Sequence, residues 1–178
     1  MRAPTALVGI ALLAIPLLAI GVHAQDSGEI KLGAFAPLSG ISADVGAQIR
    51  AGAEVALERI GELRLGGRAH RVRVVWYDTE GKGDVGLNAV TRALTVDKIH
   101  VGVGFLSSDV FIRVMDEFQK AGAPVIACCA ASLKIGEKIA QNKMGFVFQL
   151  SPTANDIARS LVAAVAEHVK PKKVAMLN

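Results

Sequence analysis

Two hydroxyls, Ser107 and Ser108, follow directly on the run Val101-Gly-Val-Gly-Phe-Leu. Val110, Val114 and Phe118 then recur at helical spacing, so the sequence predicts a short strand turning into an amphipathic helix. A strand that runs through glycine into a helix N-terminus gathers free backbone N–H groups and the positive end of the helix dipole at one point, which is a natural anion site. Only one of the two serines can be the N-cap, which leaves the other for a ligand. A third hydroxyl, Ser132, ends the run Ala130-Ala131-Ser132 after another apolar stretch. Ser39 lies in a Pro-Leu-Ser-Gly turn, and Asp78 closes a further apolar run. Each has an ordinary structural use as well: Ser132 as a helix cap, Ser39 as a turn residue and Asp78 as a brace of its own loop. Together they offer hydroxyls and amides without concentrated charge, which suits a neutral or anionic small ligand.

Other chemistries have less to stand on. A cysteine nucleophile needs a base nearby, and His70, His100 and His168 fall at strand or helix edges away from these loops. The histidines lack metal-ligand spacing, so no metal and no cofactor is expected. Gly102-Val-Gly104 lacks the third glycine of a dinucleotide fingerprint. The two cysteines, Cys128 and Cys129, are adjacent. Neighbouring Cα atoms sit about 3.8 Å apart, short of the ~4.4–6.8 Å that bridges prefer, so two buried apolar thiols are expected in place of a disulfide.

The elements that must position these residues alternate strictly. Strands are expected at Glu29–Ala36, Arg71–Tyr77, His100–Gly104, Val125–Cys129 and Gly145–Leu150, with a sixth begun at Lys173–Leu177. Helices are expected from Asp44 to Ile60, Asp84 to Asp97, Ser108 to Ala121, Leu133 to Gln141 and Asn155 to His168, with Gly122 and Pro171 as stop signals. Gly66-Gly67 reads as a turn. Strand and helix in alternation, with short apolar strands, give an α/β fold: a doubly wound parallel sheet covered by helices on both faces. Ligands of such sheets bind beyond the carboxyl ends of the strands, where strand order reverses.

The 178-residue chain begins with Arg2, an apolar run from Thr5 to Gly21 and small residues at Val22 and Ala24, the pattern of a cleavable signal peptide over residues 1–24. The remainder is long enough for one cored domain. A formal net charge of +4, with one Trp and one Tyr, gives neither the basic stripe nor the aromatic interleaving that nucleic acid binding needs. A last strand with no helix after it would leave a sheet face uncovered. The expected organisation is therefore a lobe over 25–150, then a crossover with the first helix and strand of an incomplete second lobe over 151–178.

At these residues the chain resembles the periplasmic solute-binding proteins of branched-chain amino acid ABC importers. Ile30-Lys-Leu-Gly-Ala-Phe-Ala-Pro-Leu-Ser-Gly40 resembles the family's opening strand and turn, and Val74-Val-Trp-Tyr-Asp78 its second strand. Gly104-Phe-Leu-Ser-Ser108 is similar to its Gly-x-x-Ser-Ser loop, and Gly122-Ala-Pro-Val-Ile126 with Ala130-Ala-Ser132 to its Gly-x-Pro-x-Ile strand and following loop. The resemblance implies a two-lobed clamshell, a type I periplasmic binding fold of which this is the first lobe. It implies capture of a branched-chain amino acid, or a related small carboxylate or amide, for a membrane permease, without catalysis. It further implies that Ser107 and Ser108 hold a carboxylate, and that Ala130, through its backbone, and Ser132 hold the carboxylate or ammonium, with Ala131 and Ser39 beside them. The expected product is periplasmic and, when complete, monomeric. The sequence departs from the family at Asp109, a negative charge beside the anion site, and at Cys128-Cys129, where a hydroxyl and proline are usual. Alternative readings are a sensor domain of the same fold and an α/β enzyme completed by residues outside this lobe.

Overall fold

The computed structural model describes residues 28–175, so the expected signal peptide over residues 1–24 and the end of the expected sixth strand lie outside the described part. Six strands form one sheet: β1 (Gly28–Ala36), β2 (Glu62–Leu65), β3 (Arg68–Asp78), β4 (Val101–Gly104), β5 (Val125–Ala127) and β6 (Val147–Gln149). Their order is β2-β3-β1-β4-β5-β6. All pairs are parallel except β2–β3. β2 is a strand that the sequence reading did not assign: Gly66 and Gly67, both at positive φ, form the expected turn, which closes a hairpin and adds an antiparallel edge strand. The helices are α1 (Ala43–Ile60), α2 (Gly83–Thr95), α3 (Ser108–Ala121), α4 (Leu133–Gln141) and α5 (Ala154–Ala164), the last running into one π-helical turn, Val165–Val169.

The core lies between the sheet and α2 and α3. Phe35 of β1 stacks on Tyr77 at 4.9 Å and on Phe105 at 4.8 Å, with Phe118 of α3 edge-on at 5.8 Å. Such aromatic pairs add about 0.5–1.5 kcal/mol each beyond the area they bury. The glycine of the Val-Gly-Val-Gly run has a packing reason: a Cβ on Gly102 would lie 2.7 Å from the Phe118 ring. Gly86 likewise lets α2 close on Val110, and an Asp84–Arg113 ion pair ties α2 to α3 at the surface.

The opposite face carries α1 over Leu32, Ala34, Val74, Trp76 and Val103, with an apolar cavity of about 260 Å³ between. α5 stands differently, because none of its residues is buried and Ile157, Leu161 and Val162 are exposed. The expected sixth parallel strand at Lys173 is not formed over Lys173–Ala175, the part of it that is described. Among the described residues no helix is long and apolar enough to cross a membrane.

Candidate functional site

Strand order reverses between β1 and β4, because β1 is flanked by β3 on one side and β4 on the other. The loop leaving β4 at this switch point is bent by two unusual residues. Gly104 has φ +124°, and a Cβ there would sit 2.2 Å from the Phe35 carbonyl oxygen. Phe105 follows at φ +65°, a conformation that costs a non-glycine residue about 1–3 kcal/mol. It is held by its buried ring and by its N–H, which donates to the Phe35 carbonyl at 2.9 Å. The bend lifts Ser107 and Ser108 to the start of α3.

Ser107 is the N-cap: its Oγ accepts from the Val110 N–H at a long 3.5 Å, and its carbonyl accepts from the Phe111 N–H at 3.1 Å. The N–H groups of Ser108 and Asp109 open the helix, where no intrahelical acceptor exists. Ser108 Oγ accepts from the Ser132 N–H at 3.2 Å. This bond joins the loop after β4 to the loop after β5 and leaves the Ser108 hydroxyl proton to donate. Asp109 is exposed in the first turn, where its charge complements the helix dipole.

The loop after β5 is strapped from several sides. Cys128 N–H donates to the Gly104 carbonyl at 3.0 Å, and the Ser151 hydroxyl donates to the Cys128 carbonyl. Gln149 Nε2 donates to the Ala130 carbonyl at 2.9 Å and to that of Ser132 at 3.4 Å. The Ala131 carbonyl accepts from the Ala154 N–H at 2.8 Å. Ser132 caps α4, its Oγ accepting from the Lys134 N–H at 3.3 Å. Ser107, Ser108, Ala130, Ala131 and Ser132 are thus brought together at adjacent strand ends, with two helix N-termini opening there.

Ser39 is engaged elsewhere. Its Oγ donates to Asp78 Oδ2 at 2.6 Å, while Asp78 Oδ1 accepts from the N–H groups of Leu38 (2.8 Å), Glu80 (2.8 Å) and Ser39 (3.3 Å). Burial opposes ionisation of Asp78, but these hydrogen bonds outweigh it and hold the carboxyl below its usual range. Asp78 therefore braces the turn that carries Ser39.

The cysteines depart from the expectation of two buried thiols. β5 ends at Ala127, so the pair lies in the loop: Cys128 is half-buried and Cys129 is exposed. The sequence reading also missed Gln149 and Ser151, whose side chains fix the carbonyls of the second loop. Their signal was a polar residue at the end of an apolar strand and a hydroxyl two positions later. His70 pairs with Gly28, and His100 Nδ1 accepts from the Lys31 N–H at 2.9 Å, so both sit at the opposite, N-terminal edge of the sheet.

Known proteins resemble this chain in sequence and in fold. A Leu/Ile/Val-binding protein homologue of Brucella melitensis is 27% identical over 159 residues, covering 89% of this chain and 42% of the relative. The chain thus spans less than half the length of that relative. Among solved structures, the branched-chain amino acid transporter substrate-binding protein LivJ of Streptococcus pneumoniae, in complex with isoleucine, superposes with a TM-score of 0.65 at 22% identity. The match covers 80% of this chain and 39% of that one. A solute-binding protein of an ABC transporter from Rhodopseudomonas palustris, in complex with 3,4-dihydroxybenzoic acid, superposes with a TM-score of 0.59 at 20% identity, covering 70% and 32%. At these identities the structures share the fold. The periplasmic binding protein family matches residues 29–178. The chain is a member of the periplasmic binding protein family.

Proposed function

We propose that residues 25–150 form the ligand-capturing lobe of an exported, two-lobed solute-binding protein that delivers a small carboxylate to an ABC-type permease. Residues 151–178 then begin the crossover into the second lobe. The observation that carries this reading is the Ser108–Ser132 bond of 3.2 Å, which sets two helix N-termini and a free hydroxyl donor side by side at the switch point. Amides at helix starts and a hydroxyl donor complement a carboxylate, and hydrogen bonds to an ionised group are the stronger kind. The exposed apolar residues of α5 suit a helix whose covering partners belong to the second lobe. Closure of two lobes over a ligand draws its energy from contacts made to both at once. A non-catalytic role agrees with the placement of His70 and His100 at the far edge of the sheet.

Both aliphatic amino acids and hydroxybenzoates carry the group this site fits, and the two solved relatives hold one of each. The test is a thermal-shift panel on the natural exported product with leucine, isoleucine, valine, 3,4-dihydroxybenzoate and leucinamide. A single-site ligand at 100 times its Kd adds about 2.7 kcal/mol. A rise in Tm with at least one carboxylate, and none with leucinamide, is the expected result. A flat response to every carboxylate overturns the reading.

A further inference from the structure

Cys128 and Cys129 are left without a part in solute capture. Both are free thiols, and their Sγ atoms lie 3.1 Å apart. Cys128 is fixed in place: its N–H donates to the Gly104 carbonyl at 3.0 Å, its S–H to the same oxygen at 3.5 Å, and its carbonyl accepts from Ser151. Cys129 is exposed and gives access from solvent. We propose that this pair is a dithiol site for a trivalent arsenical, an R–As(III) oxide or hydroxide that takes two sulfur ligands at the mouth of the loop after β5.

The choice among soft centres follows from ligand count and bite. Structural zinc needs four ligands, and among the described residues no group of three or more His, Cys, Asp or Glu is placed to hold a metal ion. Two metal–sulfur bonds of ~2.3 Å at a tetrahedral angle would also hold the sulfurs about 3.8 Å apart, wider than the pair stands. A linear two-sulfur centre such as mercury(II) places its sulfurs on opposite sides, wider still. Pyramidal arsenic(III), with bond angles near a right angle and one position kept by its own substituent, fits two thiols alone. The adjacent backbone works in the same direction, because neighbouring Cα atoms are too close for an unstrained bridge and both cysteines are free.

The chemistry balances without an oxidant. Two S–H groups and R–As=O give R–As(SR′)2 and one water: two As–S bonds form, the As–O bonds break, both thiol protons leave on that oxygen, and arsenic remains trivalent. Burial foremost, then the contact with Cys129, pushes the Cys128 thiol up to about 12, so it is present as the protonated thiol that this exchange consumes. The second As–S bond closes within one molecule, which gives the dithiol an advantage of effective concentration over any monothiol.

The test uses phenylarsine oxide on the folded, reduced chain, read by intact-protein mass spectrometry. One adduct per chain is expected, retained in excess 2-mercaptoethanol and removed by 2,3-dimercaptopropanol. C128S and C129S should each lower retention against the monothiol by at least about tenfold, since either loses the chelate. No adduct on the folded wild-type chain, or one that the monothiol strips, overturns the proposal. So does equal retention in a folded single-serine variant. The wild-type result decides even where a variant fails to fold. It is also independent of whether the solute reading holds, since no solute is used.

Discussion

Replacing Gly104 by alanine probes the bend on which the whole site is built. The new Cβ would lie 2.2 Å from the Phe35 carbonyl oxygen and 3.0 Å from the Phe35 nitrogen, both rigid backbone of the central strand. At φ +124° the backbone also occupies a region that residues with a Cβ rarely adopt. Strain of this kind costs about 1–3 kcal/mol. Relief requires β4 to move off β1, which weakens the bonds from Phe105 N–H to the Phe35 carbonyl and from Cys128 N–H to the Gly104 carbonyl, at about 0.5–1.5 kcal/mol each. The expected loss is therefore about 2–6 kcal/mol. Urea unfolding followed by fluorescence of Trp76, the only tryptophan in the chain, measures it directly. G52A is the internal control: Gly52 lies within α1, has nothing within 4 Å of a new Cβ, and should gain about 0.5–1 kcal/mol from helix propensity. A G104A protein within about 0.5 kcal/mol of wild type, the range of an ordinary surface substitution, would mean that the β4 bend tolerates a Cβ and is not held by this close approach.

Other substitutions separate the brace, the caps and the detached helix. D78A strips the acceptor from the Leu38, Ser39 and Glu80 amides and should cost about 1–3 kcal/mol near neutral pH. Because the folded-state pKa lies below the ordinary value of 3.8, that contribution is complete above this value and is lost as pH falls through the folded pKa. The gap between wild type and D78A should thus be flat around neutrality and close on acidification; a gap that widens in acid would contradict the assignment. S132A removes the cap of α4 and should lower stability by about 0.5–2 kcal/mol in the urea titration. T153A breaks the Thr153–Asp156 capping box of α5, whose residues are all unburied. It should speed amide exchange within α5 while leaving the Trp76 transition in place.

Strands β1, β3, β4, β5 and β6 were legible because parallel strands read as short apolar runs, even where one face is open, as at Ile126 of β5 and Phe148 of β6. The bounds of α3 were legible to the residue, since Ser107 caps one end and Gly122, at φ +64°, closes the other. β2 was not, because Leu63 and Leu65 are exposed and no buried face marks the strand. Its available signal was the Gly66-Gly67 turn, read as such, which with a short run on either side makes a hairpin pattern. The cap of α5 fell on Thr153 and not Asn155, because Asp156 three residues on completes a reciprocal pair of bonds. At the site, the serine pair and Ser132 could be named from type and position, and Ser107 is the cap, but Ser108 is engaged by the Ser132 amide. That contact could not be read, since it depends on how β4 and β5 pair. The straps from Gln149 and Ser151 depend in the same way on β6 lying beside β5. Exposure of Cys129 follows from β5 ending two residues early, which an unbroken apolar run through Cys129 conceals.

We propose that the Ser107–Ser108 loop holds the carboxylate of a bound solute. Calorimetric titration of the natural protein, wild type against S107A/S108A, tests it with whichever solute raises Tm. A hydrogen bond to a charged group contributes about 1.5–3 kcal/mol, and 1.4 kcal/mol is tenfold in Kd, so the folded double variant should bind at least about tenfold more weakly, with stability lowered by about 0.5–2 kcal/mol for the lost Ser107 cap. Equal affinity in a folded double variant would contradict the account.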